Sequence, residues 1–343
     1  MEFPMAVSFS GIETSYVQRY AEDVQMELQQ TNSRLRPAVS VKPDCSGLVQ
    51  FMDKIGSVNA EKITSRFADS PIMPVKHTLR KVSFHPYHFG TAIEEWDVRR
   101  MNYDVIQPYA RSAAMSMNRE MDRVIAEAAF GLHYGSADSD MTASQDYSWV
   151  TMTAGTALAN QNEIGFAGGG QKIAAAFNYL GTDATTNVGL TVQKLLRARR
   201  KLSEQEVDQY DQNGVPLFFV VCSAAQIEAL LQESEINSID FNNIRSLVDG
   251  AVNYFAGFQF IRYEHLARDY AAVTGTTLQE NSLDVEPVLA FHPSAMGLCI
   301  WADVVARIDE LPNKRFIPYI YYKMDMGATR MDEKLMLQIN CKT

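Results

Sequence analysis

The sequence predicts an α+β fold, and three observations carry that expectation. Helical periodicity is strong in a few separated stretches, above all PYARSAAMSMNREMDRVIAEAAFG at 108–131. The run VPLFFVVC at 215–222 reads as a buried strand that hands directly to a capped helix. The stretches FIPYIYYKM and KLMLQIN near the carboxy terminus alternate as strands do. Between these elements lie long non-helical excursions.

Taken in order, residues 12–32 place Val17, Tyr20, Val24 and Leu28 at steps of three and four, one narrow apolar stripe on a Gln- and Glu-rich helix. A terminal helix with one stripe must dock on something. Pro37 and Pro43 then force extended chain. From Lys62 to Met101 β-branched and aromatic residues suggest strands, but Lys76 and Arg80 fall on one alternation phase and Lys81 with His77 on the other. Neither face is clean enough for a core. This two-stranded segment therefore either projects onto a neighbouring subunit or lies over its own domain.

In the 108–131 stretch Pro108 suits a first helical turn, while Met117, Met121, Val124, Ile125 and Ala128 share a face. Arg123 and Glu127 pair at i, i+4, and Gly131 ends the helix. Residues 134–189, rich in Gly, Ser, Thr, Asp and Asn, predict short strands and loops. Thr191 caps a helix turning Leu195, Leu196 and Leu202 inward, and Ser223 with Gln226 forms the capping box of the next. GFQFIRY and VEPVLAF follow as strands, Ser294 to Ala302 as a short helix, and Leu335, Leu337 and Ile339 share one face of the last strand.

At 343 residues, 46% hydrophobic and 21% charged, the chain has room for one large or two modest domains. No window approaches the roughly 18 uninterrupted apolar residues of a membrane span, and MEFPMAVSFSGIE lacks a cationic secretory leader. The expectation is a protein that stays in the cytoplasm where it is made. Cys45, Cys222, Cys299 and Cys341 are widely spaced without CxxC and read as buried small hydrophobes. With 41 acids against 31 bases the net charge is -10, which repels phosphate backbones and argues against sequence-reading DNA binding. An acidic balance remains compatible with a container for DNA.

Chemical signatures are weak throughout. AGGGQK at 167–172 lacks the spacing of a phosphate-cradling loop, no GxGxxG follows a strand, and GxSxG is missing. Glu94, Glu95 and Asp97 stand beside Arg99 and Arg100, which favours a salt-bridge patch over an acid–base pair. Lys194, Arg197, Arg199, Arg200 and Lys201 form one dense basic run, read as a solvated face or a charged subunit contact. FHPYHF at 84–89 spaces two histidines by three, but strand geometry sends His85 and His88 to opposite faces and Pro86 removes a ladder donor. A metal needs three or four converging ligands, so Phe84, Tyr87 and Phe89 read instead as aromatic contact area. No catalytic residue, metal or cofactor is expected.

The order of these elements resembles a tailed-phage major capsid protein of the HK97-like (Hong Kong 97) fold, in the short-tailed-phage capsid family. YVQRYAEDVQMELQQTNSRLRPAV looks like that family's amino-terminal arm, and SRFADSPIMPVKHTLRKVSF with TAIEEWDVRRM looks like its extended E-loop. The 108–130 helix is similar to the spine helix of the peripheral domain, and LTVQKLLRARRKLSE with PLFFVVCSAAQIEALLQ to the opening of the axial domain. GFQFIRYEHL, VLAFHPSAMGL and MGATRMDEKLMLQI resemble the strands and short helix that close the fold.

The resemblance implies an arm at 1–60, an E-loop at 61–101, a peripheral domain at 102–188, an axial domain at 189–305 and terminal strands at 306–343. It implies hexamers and pentamers assembling in the bacterial cytoplasm into the icosahedral virion capsid, around double-stranded DNA held without sequence-specific binding. A separate scaffolding protein, a portal and a decoration protein are the implied partners, with no membrane. Lys76, Arg80, Lys81, Phe84, Tyr87, Phe89, Arg99 and Arg100 are the expected inter-subunit contacts. Some relatives join a loop lysine to a neighbour's asparagine, and Lys76 or Lys81 with Asn340 fits the residue types, but no cross-link is expected. An encapsulin-type nanocompartment of the same fold and a cytosolic enzyme with an unrecognised site are the alternatives.

Overall fold

A computed structural model describes residues 29–56, 58, 60, 62, 75, 77–94, 96, 106–131, 133–134, 163–164, 172–177, 187–211, 214–232, 254–274, 277–280 and 283–342. The expected amino-terminal helix at 12–32 lies, up to residue 28, outside the described residues, as do Glu95, Asp97 and most of AGGGQK. The chain divides into two compact units. The larger is drawn from Ser33–Pro86, Arg119–Asp303 and Asp325–Thr343, the smaller from Met1–Asn32, Tyr87–Asn118 and Val304–Met324.

The strands are β1 (Ser40–Lys42), β2 (Val49–Ile55), β3 (His77–Ser83), β4 (His85–Ala92), β5 (His133–Tyr134), β6 (Glu163–Ile164), β7 (Lys172–Ile173) and β8 (Phe218–Cys222). They continue as β9 (Tyr254–Phe255), β10 (Phe258–Arg262), β11 (Gln279–Glu280), β12 (Leu283–Phe291), β13 (Met296–Leu311), β14 (Ile317–Arg330) and β15 (Met336–Lys342). The helices are α1 (Ile106–Phe130), α2 (Val192–Ser203), α3 (Ala224–Leu231) and α4 (Leu266–Thr274).

The core of the larger unit is a seven-stranded mixed sheet ordered β7-β15-β12-β8-β10-β9, with β11 beside β12. β12 runs antiparallel to β15 from Val285↔Lys342 to Phe291↔Met336, and β10 lies parallel to β8. Phe218, Val220 and Cys222 of β8 pack with Leu195 and Leu202 of α2, Leu230 of α3 and Leu337 and Ile339 of β15. β15 is buried on both faces, so its polar residues need internal partners: Gln338 Nε2 donates to Asn340 Oδ1 at 2.8 Å. Fully burying each of these large apolar side chains is worth about 1.5–3 kcal/mol.

The caps form where the sequence places them. Thr191 Oγ1 accepts from the Lys194 N–H at 3.3 Å, and the Ser223 N–H donates to Gln226 Oε1 at 2.8 Å. Leu195 and Leu202 point inward as expected, but Leu196 is 50% exposed and Ala198 takes the inner position. The inward arc is i, i+3, i+7, and position 196 falls about 100° off it. On α1, Met117, Met121, Val124 and Ile125 are buried, and the buried alanines are Ala113, Ala126 and Ala129, while Ala128 is only half-buried. Gly131 closes the helix through its N–H to the Glu127 carbonyl at 2.8 Å, and Arg123 Nε meets Glu127 Oε1 at 2.8 Å.

Two expectations are corrected. The stretch Ser294 to Ala302 is not a helix: one 3-10 turn, Pro293–Ala295, gives way at Met296 to the 16-residue strand β13. Its apolar run with Trp301 and β-branched residues suits a strand, and periodicity alone does not separate the two over so short a length. Nor do β3 and β4 pair with each other. β3 pairs antiparallel with β2, from Val49↔Ser83 to Ile55↔His77, and β4 ends the four-stranded sheet ordered β1-β13-β14-β4. The β2–β3 hairpin thus runs from Val49 to Ser83.

Close backbone approach in the larger unit depends on Gly327. A Cβ there would stand 2.2 Å from the Ser83 carbonyl oxygen. Residues 33–35 are pinned to α1. Asp122, fully buried, accepts from Ser33 Oγ at 2.6 Å and from the Arg34 and Leu35 N–H groups at 3.0 Å.

In the smaller unit, β4 and the distal parts of β13 and β14 form a sheet, with Ile93, Ala113, Met117, Ile320 and Met324 buried. Tyr319 and Tyr321 stack with ring centroids 6.0 Å apart, and Gly90 leaves the room Tyr319 occupies. The β13–β14 connection is one 3-10 turn, Pro312–Lys314, followed by Arg315 and Phe316, both left-handed at φ 60 and φ 58.

Candidate functional site

Among the described residues, several groups that carry chemistry elsewhere are sealed or neutralised. All four cysteines are free and buried. Burial pushes the Cys222 and Cys299 thiols up to about 12, so neither is a thiolate at neutral pH. Burial alone raises the Glu264 carboxyl, but hydrogen bonds from Arg262 and the Ala224 N–H outweigh it and hold the group below its ordinary value. His292 is buried with Nδ1 accepting from the Ser294 N–H at 3.2 Å, and desolvation lowers its pKa. His85 and His88 are exposed on β4, the latter 6.2 Å from the Tyr321 ring. Among the described residues no three or more His, Cys, Asp and Glu side chains gather as a metal would require, and no helix is long and apolar enough to cross a membrane.

The basic run of α2 divides. Arg200 is exposed and pairs with Glu204 at 2.8 Å, as a solvated face would. Lys194 is 0% exposed, and its Nζ donates to the carbonyls of Val188 at 2.8 Å, Gly189 at 3.0 Å and Asn340 at 2.9 Å. Its ammonium ties α2 to β15, the reverse of the surface role expected for it. A run of like charges gives no sign of which member turns inward.

The expected contact residues also separate. Arg80 is buried, on the β2–β3 face shared with Met52 and Val82, while Lys81 is half-buried on the opposite face beside Phe51. Phe84 packs edge-on to Trp301 at 5.6 Å, and Trp301 Nε1 donates to the Gly47 carbonyl at 2.7 Å, so this aromatic is engaged within the chain. In the smaller unit Tyr87 is half-buried and Phe89 exposed. Lys76, Arg99 and Arg100 lie outside the described residues. Asn340, the cross-link candidate, is buried and held by Gln338.

What does face outward is apolar. In the larger unit Phe51 and Ile55 share the outer face of β2 with Asp53. In the smaller unit Trp96, Ile308 and Phe316 are 61%, 52% and 65% exposed. Phe316 sits in a left-handed conformation beside Lys314 and Arg315, a strain of order 1 kcal/mol that presents a large apolar side chain to solvent. Sequence reading missed these positions. The available signal was weak: Phe51 and Ile55 fall on one alternation phase of VQFMDKI, and Ile308 stands in a strand whose two faces are equally mixed.

An architecture of one complete sheet core, a paired hairpin and a second sheet with uncovered apolar surface is that of a shell subunit. It matches the solved capsid of the cyanophage P-SCSP1u with TM-score 0.65 and 14% identity, covering 96% of this chain and 94% of that one. The capsid of Ralstonia phage GP4 matches with TM-score 0.65 and 10% identity, over 95% of this chain and 94% of that one. That of Helicobacter pylori bacteriophage KHP30 matches with TM-score 0.59 and 8% identity, over 98% and 99%. No curated protein is similar enough in sequence to match. The fold is the HK97-like fold of these shells. Residues 12–343 match the phage capsid protein family, and the chain belongs to it. It is a structural, non-enzymatic capsid protein of the virion.

Proposed function

We propose that copies of this chain form hexamers and pentamers of an icosahedral shell, assembled in the bacterial cytoplasm on a separate scaffolding protein and closed by a portal. Double-stranded DNA fills the shell without sequence-specific contact, in keeping with the net charge of -10. The observation that carries this reading is the uncovered apolar surface on a chain of capsid family: Phe51 and Ile55 on one hairpin, Ile308 and Phe316 on another. Heterologous contacts through such surfaces close into rings. Lys81, Tyr87 and Phe89, with Lys76, Arg99 and Arg100, join those contacts, while Arg80 and Phe84 support the hairpin base from within. A decoration protein, where one is used, binds the finished shell.

Electron microscopy of the chain produced alone and with its scaffold tests the proposal. Closed shells with hexameric and pentameric units are expected. A persistent monomer or dimer under both conditions would sink it, and shells filled with a cargo enzyme would make the protein a nanocompartment. The buried Asn340 supports a shell without isopeptide cross-links, so mature particles should run as monomers on a denaturing gel.

A further inference from the structure

Within the larger unit, helix α2 has two flanks with different surroundings. Arg197 and Lys201, four residues apart, share one flank. Arg199 stands two residues from each and so projects about 160° away from them. On its own side Arg199 is engaged: its guanidinium donates to the Ala256 carbonyl at 3.2 Å and to the Tyr210 hydroxyl at 2.7 Å. The bond to Tyr210 seats the segment 208–211 on the Arg199 flank. That segment is held in turn by its return strand, with the Asp211 N–H donating to the Val215 carbonyl at 2.9 Å and the Leu217 N–H to the Gln209 carbonyl at 2.9 Å.

The two flanks carry opposite charge. Asp208 and Asp211 are exposed and make no ion pair among the described residues. Neither does Arg197, whose guanidinium carbon lies 5.8 Å from the centre of the Phe177 ring. Burial, and after it the Arg197 charge, lowers the Lys201 pKa, so these two cations repel across one turn. Each patch also has an exposed apolar side chain: Leu196 beside Arg197, and Tyr210 between the two aspartates. Tied to Arg199, the 208–211 segment lies on the side of α2 away from its own Arg197, and meets such a flank on another copy. Complementary patches on opposite sides of one helix join head to tail, which is the heterologous contact that closes rings.

We infer that the α2 flank of Arg197 and Lys201 on one copy receives the 208–211 segment of the next, with the two cations facing Asp208 and Asp211 and Leu196 against Tyr210. This contact rests on the proposed assembly into rings and names which surfaces meet there.

Two charge reversals in the full-length chain test it: Asp208→Lys with Asp211→Lys, and Arg197→Glu with Lys201→Glu. Each pair alone should cut the yield of closed shells about tenfold or more, read by light scattering and electron microscopy, and the four changes together should restore most of it. Leu196→Glu, at an exposed position, should act as the second reversal does without disturbing a packed side chain, and the two aspartate changes should rescue it. The urea midpoint of the unassembled subunit should not move in the aspartate variant, whose altered positions face solvent. Shells that close normally with both pairs reversed separately would overturn the contact and leave the shell function standing, as would losses that combination does not repair. A fall in the subunit's midpoint that matches the loss of shells would put the pairing inside one chain and overturn the contact as well. An unaltered chain that forms no shells would sink the assembly itself, and this contact with it.

Discussion

Phe218, Leu195 and Leu202 of the larger unit are wholly enclosed by side chains of the same unit, whereas Trp96, Ile308 and Phe316 of the smaller unit face solvent. Both units are sheet-based and draw on the same residue types. The difference lies in layering: the seven-stranded sheet is packed by α2 and α3 and has β15 buried on both faces, while distal β13 is exposed on both of its faces. A sheet covered by its own helices is stable as a subunit. One left uncovered acquires its remaining packing from outside. On the proposed function, the chain separates what makes it fold from what makes it assemble.

Substitutions can break that separation. The largest effect is expected at Phe218: Phe218→Ala should cost about 3–5 kcal/mol in urea unfolding of the unassembled subunit, because a fully buried ring leaves a cavity. Next comes Asp122→Ala, which strips one buried carboxylate from the Ser33 hydroxyl and two N–H groups. Hydrogen bonds to a charged group put its cost at about 1.5–3 kcal/mol, with faster proteolysis near residue 33 as the visible sign. An unchanged unfolding midpoint in either variant would contradict the account of the larger unit.

A smaller, pH-dependent effect belongs to His292. Desolvation lowers its folded pKa, so as pH falls the unfolded state takes up the proton first. Its neutral form is therefore no liability above the unfolded value of about 6.5, and stability is lost as pH falls from there through the folded pKa. His292→Gln should flatten the acid side of the stability profile; an identical slope would remove His292 from the cause. The smallest effect on the subunit is expected at the β13–β14 tip. Phe316→Ser should change unfolding by no more than about 0.5 kcal/mol, yet lower shell yield strongly by light scattering. A large loss of subunit stability there would erase the contrast between the units.

How legible this was depended on the range of the interaction involved. Thr191, Ser223 with Gln226, and Gly131 act on backbone groups three or four residues away, and each does what its spacing says. The partner of β3 is β2, across about twenty intervening residues, and nothing in HTLRKVS specifies it. β13 was misread because MGLCIWADVVARI is apolar without a period. Lys194 was misplaced because its environment is made by Val188, Gly189 and Asn340, the last almost 150 residues downstream. The surface proposed for assembly is the hardest to read. Its residues are ordinary strand hydrophobes, and only their exposure among the described residues, visible once the chain is folded, distinguishes them from core.

The sealed cysteines carry a consequence for the particle's life between hosts. A virion spends time outside any cell, in oxygenated surroundings. Cys45, Cys222, Cys299 and Cys341, repeated in every copy of the shell, are held away from solvent, two of them with ionisation pushed well beyond environmental pH. A buried thiol that stays un-ionised oxidises slowly, so these cysteines are shielded from damage that would otherwise build up outside the cell.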